Sequence, residues 1–236
     1  MFVSKSVFSQ GLINVYGGIG YNISTARIDA LDYIISRYNE TRPWLSEKMQ
    51  TPSNLSGLSF SLGFYTSSIL VDLEYVYKYS STITAEGSSG DITQRRDLKV
   101  YGKSFNVGLN YIIGNSELLV MPGLSFDWNF MPVESRIYNV NNTDPPAYEI
   151  LSEDGGTSFS NSALMISPNV HIDYSLSERL YVSLKPYYSI GVTEIDYSVL
   201  NKNLNPNTYE NDPADKTSSK FSNFGILFKL KYLLLE

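Results

Sequence analysis

The sequence predicts an all-β chain, a closed up-and-down antiparallel barrel of about eight strands. Three observations predict it. Apolar residues recur at every second position over most of the 236 residues, which is the period of a strand and not of a helix. The connections between these runs alternate strictly between short and long. No apolar run approaches the roughly 18 residues of a membrane-spanning helix, although 42% of the chain is hydrophobic.

The first strand, near Leu12 to Tyr21, is the least regular, with Ile13, Val15, Ile19 and Tyr21 on one parity. The second sets Leu58, Phe60, Leu62 and Phe64 against Ser59, Ser61 and Gly63. The third sets Ile69, Val71, Leu73, Tyr75 and Tyr77 against Asp72, Glu74 and Lys78. In the fourth, Phe105, Val107, Leu109 and Tyr111 alternate with Ser104, Asn106, Gly108 and Asn110. The fifth runs Leu118 to Phe130, the sixth Leu164 to Tyr174 and the seventh Leu180 to Val192, each with small or polar residues between its apolar ones. The eighth is the clearest. Phe224, Ile226, Phe228, Leu230, Tyr232 and Leu234 alternate with Gly225, Lys229 and Lys231 among others.

The short connections are Thr66-Ser67-Ser68, Gly114-Asn115-Ser116 and Ser175 to Glu178. The long ones are Asn22 to Ser56, Ser81 to Asp97, Met131 to Ser160 and Glu194 to Ser219. In an up-and-down barrel this alternation gathers every tight turn at one rim and every long loop at the other. Membrane barrels sort their connections this way, with turns periplasmic and loops extracellular. Such loops are expected sites of proteolytic nicking.

The facing follows from size. Eight strands enclose room for side chains only, and the Gly, Ser and Asn set fits there better than Phe, Trp and Tyr. The bulky set therefore faces lipid. A mean hydropathy of −0.15 agrees, because the two faces cancel. With 19 Tyr, 11 Phe and 2 Trp the chain is rich in aromatics, which gather at membrane interfaces. Two girdles are expected, Phe64, Tyr111, Tyr174 and Tyr232 near the turns and Tyr101, Trp128 and Phe130 near the loops. A net charge of −6 with no basic stripe excludes nucleic acid as a natural partner. Cysteine is absent, which removes disulfides and thiolate metal sites. Met1 to Gln10 reads equally well as the tail of a signal peptide, with Val7 and Ser9 at the small-residue positions, or as a frayed terminus. Residues 11–236 then form the barrel domain.

On pattern, on the Phe8-Ser9-Gln10 start and on the terminal strand from Phe224 to Leu235, the chain resembles the small outer-membrane β-barrel family. That family includes the OmpA transmembrane domain and OmpX, and the chain is similar in particular to its Bacteroidota-type members. The resemblance spans Gly11 to Leu234 and implies a transmembrane barrel in a bacterial outer membrane. The chain departs from the family in ending Leu235-Glu236, not on an aromatic residue.

The inward parity also carries charge. Asp72 and Glu74 on the third strand face Lys185, Lys229 and Lys231 on the seventh and eighth, with Asp173 expected beside Lys185. These residues should form an ionic network that plugs the lower lumen, since isolated charges there would be costly. His171, the only histidine, shares a face with Asp173 and could form a base with its orienter. Its inward parity instead favours a lumen polar network. Ala26 to Tyr38 carries the helical pattern, with Ile28, Leu31, Ile34, Ile35 and Tyr38 on one face. Ser24 or Thr25 would cap it. That face either packs on the barrel mouth or docks a partner. Glu134, Asp144, Glu149, Glu153 and Asp154 make the third loop acidic, but they lack EF-hand spacing and read as solvated surface. Gly17-Gly18-Ile19-Gly20 precedes no helix and is no dinucleotide fingerprint. No cofactor and no metal are expected.

The leading functional expectation is a non-enzymatic barrel that presents loops for binding, adhesion or envelope integrity. Its partners would be outer-membrane lipid and another outer-membrane or extracellular protein. The alternatives are an accessory subunit of a larger complex and a lipid-modifying enzyme.

Overall fold

A computed structural model describes residues 13–115, 117–141, 144–151 and 161–235. Eight long antiparallel strands form the barrel: β1 (Asn14–Ile28), β2 (Asn54–Tyr65), β3 (Ile69–Tyr79), β4 (Ile92–Tyr111), β5 (Leu118–Phe130), β6 (Ser162–Ser175), β7 (Leu180–Asp196) and β8 (Ser218–Leu235). Each pairs with its chain neighbour, and β1 pairs with β8 from Val15 opposite Leu235 to Ile28 opposite Phe221, which closes the barrel. The segment Met1 to Gln10 lies outside the described residues, as do Ser116, Glu153 and Asp154.

Three tight connections lie at one rim. At the first, Thr66 N–H donates to Ile69 O at 2.8 Å, and Thr66 Oγ1 accepts Ile69 N–H at 3.0 Å. At the second, Asn115 Oδ1 accepts the N–H groups of Glu117 and Leu118, an Asx turn. Gly114 enters it with φ at +123°, where a Cβ would sit 2.2 Å from Leu118 O, so only glycine fits. At the third, Leu176 N–H donates to Leu180 O at 2.8 Å.

The other rim differs from a set of open loops. β1, β4 and β7 run well past the predicted strand ends, and the connections fold into a dome. Helix α1 (Asp29–Glu40) follows β1 without a break, and α2 (Ser198–Leu204) and the short α3 (Ala214–Thr217) lie between β7 and β8. The start of β4 is the middle of a second sheet, flanked by Ile83–Ser89 and then Leu45–Glu47 on one side, and by Val133–Asn139 and then Glu149–Leu151 on the other.

The helix therefore starts three residues later than its periodicity predicts. Ala26 to Ile28 are claimed by the ladder to β8, and their alternation satisfies the strand equally well. Neither Ser24 nor Thr25 caps it. The N-cap is Ile28, with no side-chain bond of its own, and Ser219 Oγ on β8 accepts the Ala30 N–H at 3.0 Å. The apolar face made by Ile28, Leu31, Ile34, Ile35 and Tyr38 is wholly buried in the dome core with Leu98, Val133, Ile195, Leu204 and Phe221. It is not available to a partner, which corrects the docking alternative.

Candidate functional site

Parity decides what the barrel shows to each side. Ile19, Phe60, Leu73, Leu109, Phe126 and Phe228 all point outward and are exposed, while Ser59, Asp72, Asn110, Asp127, Ser183 and Lys229 point inward and are buried. An apolar outside around a polar inside is stable only in lipid. At the turn rim, Phe64, Tyr111, Tyr174 and Tyr232 are exposed on the outer face as a girdle requires. At the loop rim Trp128 is 53% exposed, Tyr101 is half-buried, and Phe130 is a correction at 8% exposed. Phe130 packs against Trp128 (ring centroids 5.3 Å apart) and edge-on to Phe105 at 6.3 Å, so neighbouring rings cover it. Tyr77, Tyr79 and Tyr101 form the neighbouring part of that girdle, with Tyr77 stacked on Tyr101 at 6.2 Å.

The lumen is filled in layers. At the turn rim lies an apolar floor of Leu70, Leu119, Met121, Tyr181 and Leu233, with the rings of Tyr16 and Tyr65 5.2 Å apart. Above it the structure brings together the charged residues singled out by parity. Lys229 Nζ lies 3.1 Å from Asp72 and 2.9 Å from Glu74, and Lys185 Nζ lies 3.3 Å from Glu74 and 3.6 Å from Asp72. Asp173 is not beside Lys185. Its carboxylate pairs with Lys231 at 2.8 Å and accepts the Tyr65 hydroxyl at 2.7 Å. Residues 173 and 185 lie on adjacent strands, but Asp173 pairs in register with Ser183, which is one step nearer the turn rim. Tyr16 donates to Asp72.

His171 is fully buried, with Nε2 3.5 Å from Asp72 Oδ2 and no hydrogen bond at either ring nitrogen. Asp173, its expected orienter, is engaged elsewhere.

A middle layer of small polar groups follows. Asp127 accepts from Ser167, and Ser189 donates to the same carboxylate oxygen at 3.3 Å. The Tyr187 hydroxyl gathers Asn22, Asn223 and Lys78. The cavity between these groups measures about 10 Å³, room for about one water molecule. Counting inward positions, Asp72, Glu74, Asp127 and Asp173 face Lys78, Lys185, Lys229 and Lys231, so carboxylates and ammonium groups balance. The dome core closes the top. There the inward parity itself turns apolar, from Asn22 and Ser24 to Ala26 and Ile28 on β1.

Lys78 and Asp127 fall on the inward parity but were not expected in the ionic network, and Tyr16, Tyr65 and Tyr187 are the lumen members that sequence reasoning missed. Parity places all five inward; a tyrosine on that parity is otherwise indistinguishable by residue type from the tyrosines of the outer girdles.

The closed eight-stranded sheet, its outer apolar belt and its charged, filled interior define the class: an integral outer-membrane β-barrel. No family model and no curated protein matches the chain. Among solved structures it is similar to Ail, the attachment invasion locus protein of Yersinia pestis (12% identity, covering 93% of this chain and 99% of that one, TM-score 0.42). It is also similar to Neisserial surface protein A (10%, 92% and 96%, TM-score 0.46) and to the outer membrane protein OprG from Pseudomonas aeruginosa (9%, 98% and 100%, TM-score 0.44).

Proposed function

We propose that this chain is a non-enzymatic outer-membrane barrel whose working surface is its extracellular dome, presented for binding or adhesion. The observation that carries this reading is the division of labour within the fold. The membrane section is filled from floor to dome, and the groove of about 550 Å³ on its outer face beside Ile19, Phe60 and Phe228 has apolar walls, so the larger cavities with polar walls lie on the dome. Burial of His171 beneath the polar layer, away from lipid and from the outer surface, speaks against a lipid-modifying enzyme. Burial of the α1 apolar face speaks against an accessory subunit that docks through that helix.

Display on a host strain that does not adhere tests the reading. Cells carrying the barrel should gain adherence to immobilised glycans or matrix proteins, and antibody raised against residues 198–212 should block the gain. Unchanged adherence, with the same antibody staining the intact cells, would overturn it.

A further inference from the structure

Where α1, α2 and the second sheet meet, the dome carries a cavity of about 220 Å³ lined by Thr41, Arg42, Trp44, Asn205, Asn207 and Thr208. This is smaller than the pockets of about 300–1,000 Å³ that hold drug-sized ligands, and suits a single ring. Trp44 packs on the dome core and its ring is seated on bare backbone at Gly87. A Cβ there would meet Trp44 Cε3 at 2.8 Å and Trp44 O at 2.6 Å, so glycine permits the seat. The indole is thereby fixed as one wall of the cavity.

The other walls are polar and incompletely bonded. Arg42 donates from Nη1 to Tyr38 O at 3.2 Å and Thr41 Oγ1 at 2.9 Å, and from Nη2 to Leu204 O at 2.7 Å. These acceptors are neutral and occupy three of the five guanidinium N–H groups. Among the described residues no carboxylate pairs with it, so its charge is held rigidly without a counter-ion. Asn205 is 2% exposed. Its Nδ2 is spent on Ile34 O and Asn201 Oδ1, while its Oδ1 has no partner. Thr208 Oγ1 is likewise buried and unpartnered. Both oxygens are sealed behind the wall, so the reachable hydrogen-bonding groups are the two remaining N–H groups of Arg42 and the exposed side chain of Asn207.

We infer that this cavity binds one unit of an acidic saccharide, a pyranose ring bearing a carboxylate. The ring's apolar face lies on the Trp44 indole, its hydroxyls bond the exposed Asn207 side chain at the cavity edge, and its carboxylate meets the remaining N–H groups of Arg42. An aromatic wall with a few convergent polar groups suits such a ring, and a guanidinium suits its carboxylate. The inference rests on the reading that the dome faces outward and binds.

The chain has two tryptophans and no cysteine, which makes both points testable. In isotopically labelled barrel folded in micelles, the Trp44 indole N–H resonance should shift saturably with glucuronate. The Trp128 resonance, from the lipid belt, should stay in place. Glucose should bind about tenfold more weakly for lack of the charge-assisted pair, and acetate alone should leave Trp44 unmoved. Asn207→Ala removes only an exposed side chain at the cavity edge and should weaken glucuronate severalfold, while Arg42→Gln should weaken it more. No Trp44 response, equal responses to glucose and glucuronate, or a response to acetate alone would each overturn the proposal. A membrane-impermeant maleimide should label Asn207→Cys in sealed cells. Failure to label sinks the outward-facing reading, whereas labelling without a Trp44 response sinks the saccharide site alone.

Discussion

Lys231 sits between two layers of the lumen. Its ammonium ion pairs with Asp173 at 2.8 Å and donates to the Tyr65 hydroxyl at 3.2 Å, and it lies 4.7 Å from the centre of the Tyr16 ring. Nothing here is exposed, so the pair is a structural commitment more than a surface ornament. Removing one partner of such a pair strands a buried charge and costs about 3–5 kcal/mol, whereas replacing both by apolar groups can be nearly neutral. Lys231→Met should therefore lower stability by about that amount in urea unfolding from micelles. Lys231→Met combined with Asp173→Leu should recover most of it. A double variant as unstable as the sum of the two singles would show that the residues do not act as a pair.

The dome shows which elements were legible in advance. The strands were, because period two survives in every membrane-spanning segment, and the short turns were, because each gathers Ser, Thr, Gly or Asn. The lumen acids and lysines followed from parity alone. Partner choice did not, since the Asp173 to Lys231 pairing depends on register across strands far apart in the chain. The second sheet was hidden for a related reason. Its strand Val133–Asn139 pairs with the start of β4, which reads as a polar loop (Gln94, Arg95, Arg96, Asp97) and not as strand. Asp97 fastens this sheet. Burial alone would raise its pKa, but hydrogen bonds from Arg95, Arg136 and Thr84 outweigh burial and hold the carboxyl below its ordinary value. A depressed pKa adds stability that is present above the unfolded value, near 4, and is lost as pH falls through the folded one. Amide exchange of residues 94–100 and 133–139 should therefore speed up, once corrected for intrinsic rates, below about pH 4. In Asp97→Asn it should be faster at neutral pH and nearly flat with acid. Equal acid sensitivity in both proteins would remove Asp97 from this role.

At the scale of the whole molecule, the outside is apolar and the inside charged, and adjacent residues on one strand belong to different solvents. Leu124 faces lipid and is half exposed, while Ser125 beside it is buried against the lumen. Arginine at Leu124 should cost roughly 2–4 kcal/mol in bilayer folding, falling toward zero when the same change is moved along the strand to the interface. Arginine at Ser125 should destabilise by crowding the lumen, with no such dependence on depth. Refolding titrations in lipid vesicles separate the two, and equal tolerance of both substitutions would reverse the facing.

The pairing of β1 with β8 stands apart from the other ladders of the barrel. Those seven join strands consecutive in the barrel, whereas this one joins Tyr21 to Phe228 and its like across nearly the whole chain. Bringing such distant segments together carries the largest loop-closure entropy in the molecule, and topology of this kind slows folding. The consecutive ladders can form first, leaving a curled ribbon with two raw edges, one on β1 and one on β8. Such edges invite pairing with any other strand. The seam is therefore the slow and vulnerable moment in the chain's history. Until it zips, the β8 edge of Phe224, Phe228 and Tyr232 is the part that an assembly factor would have to shelter.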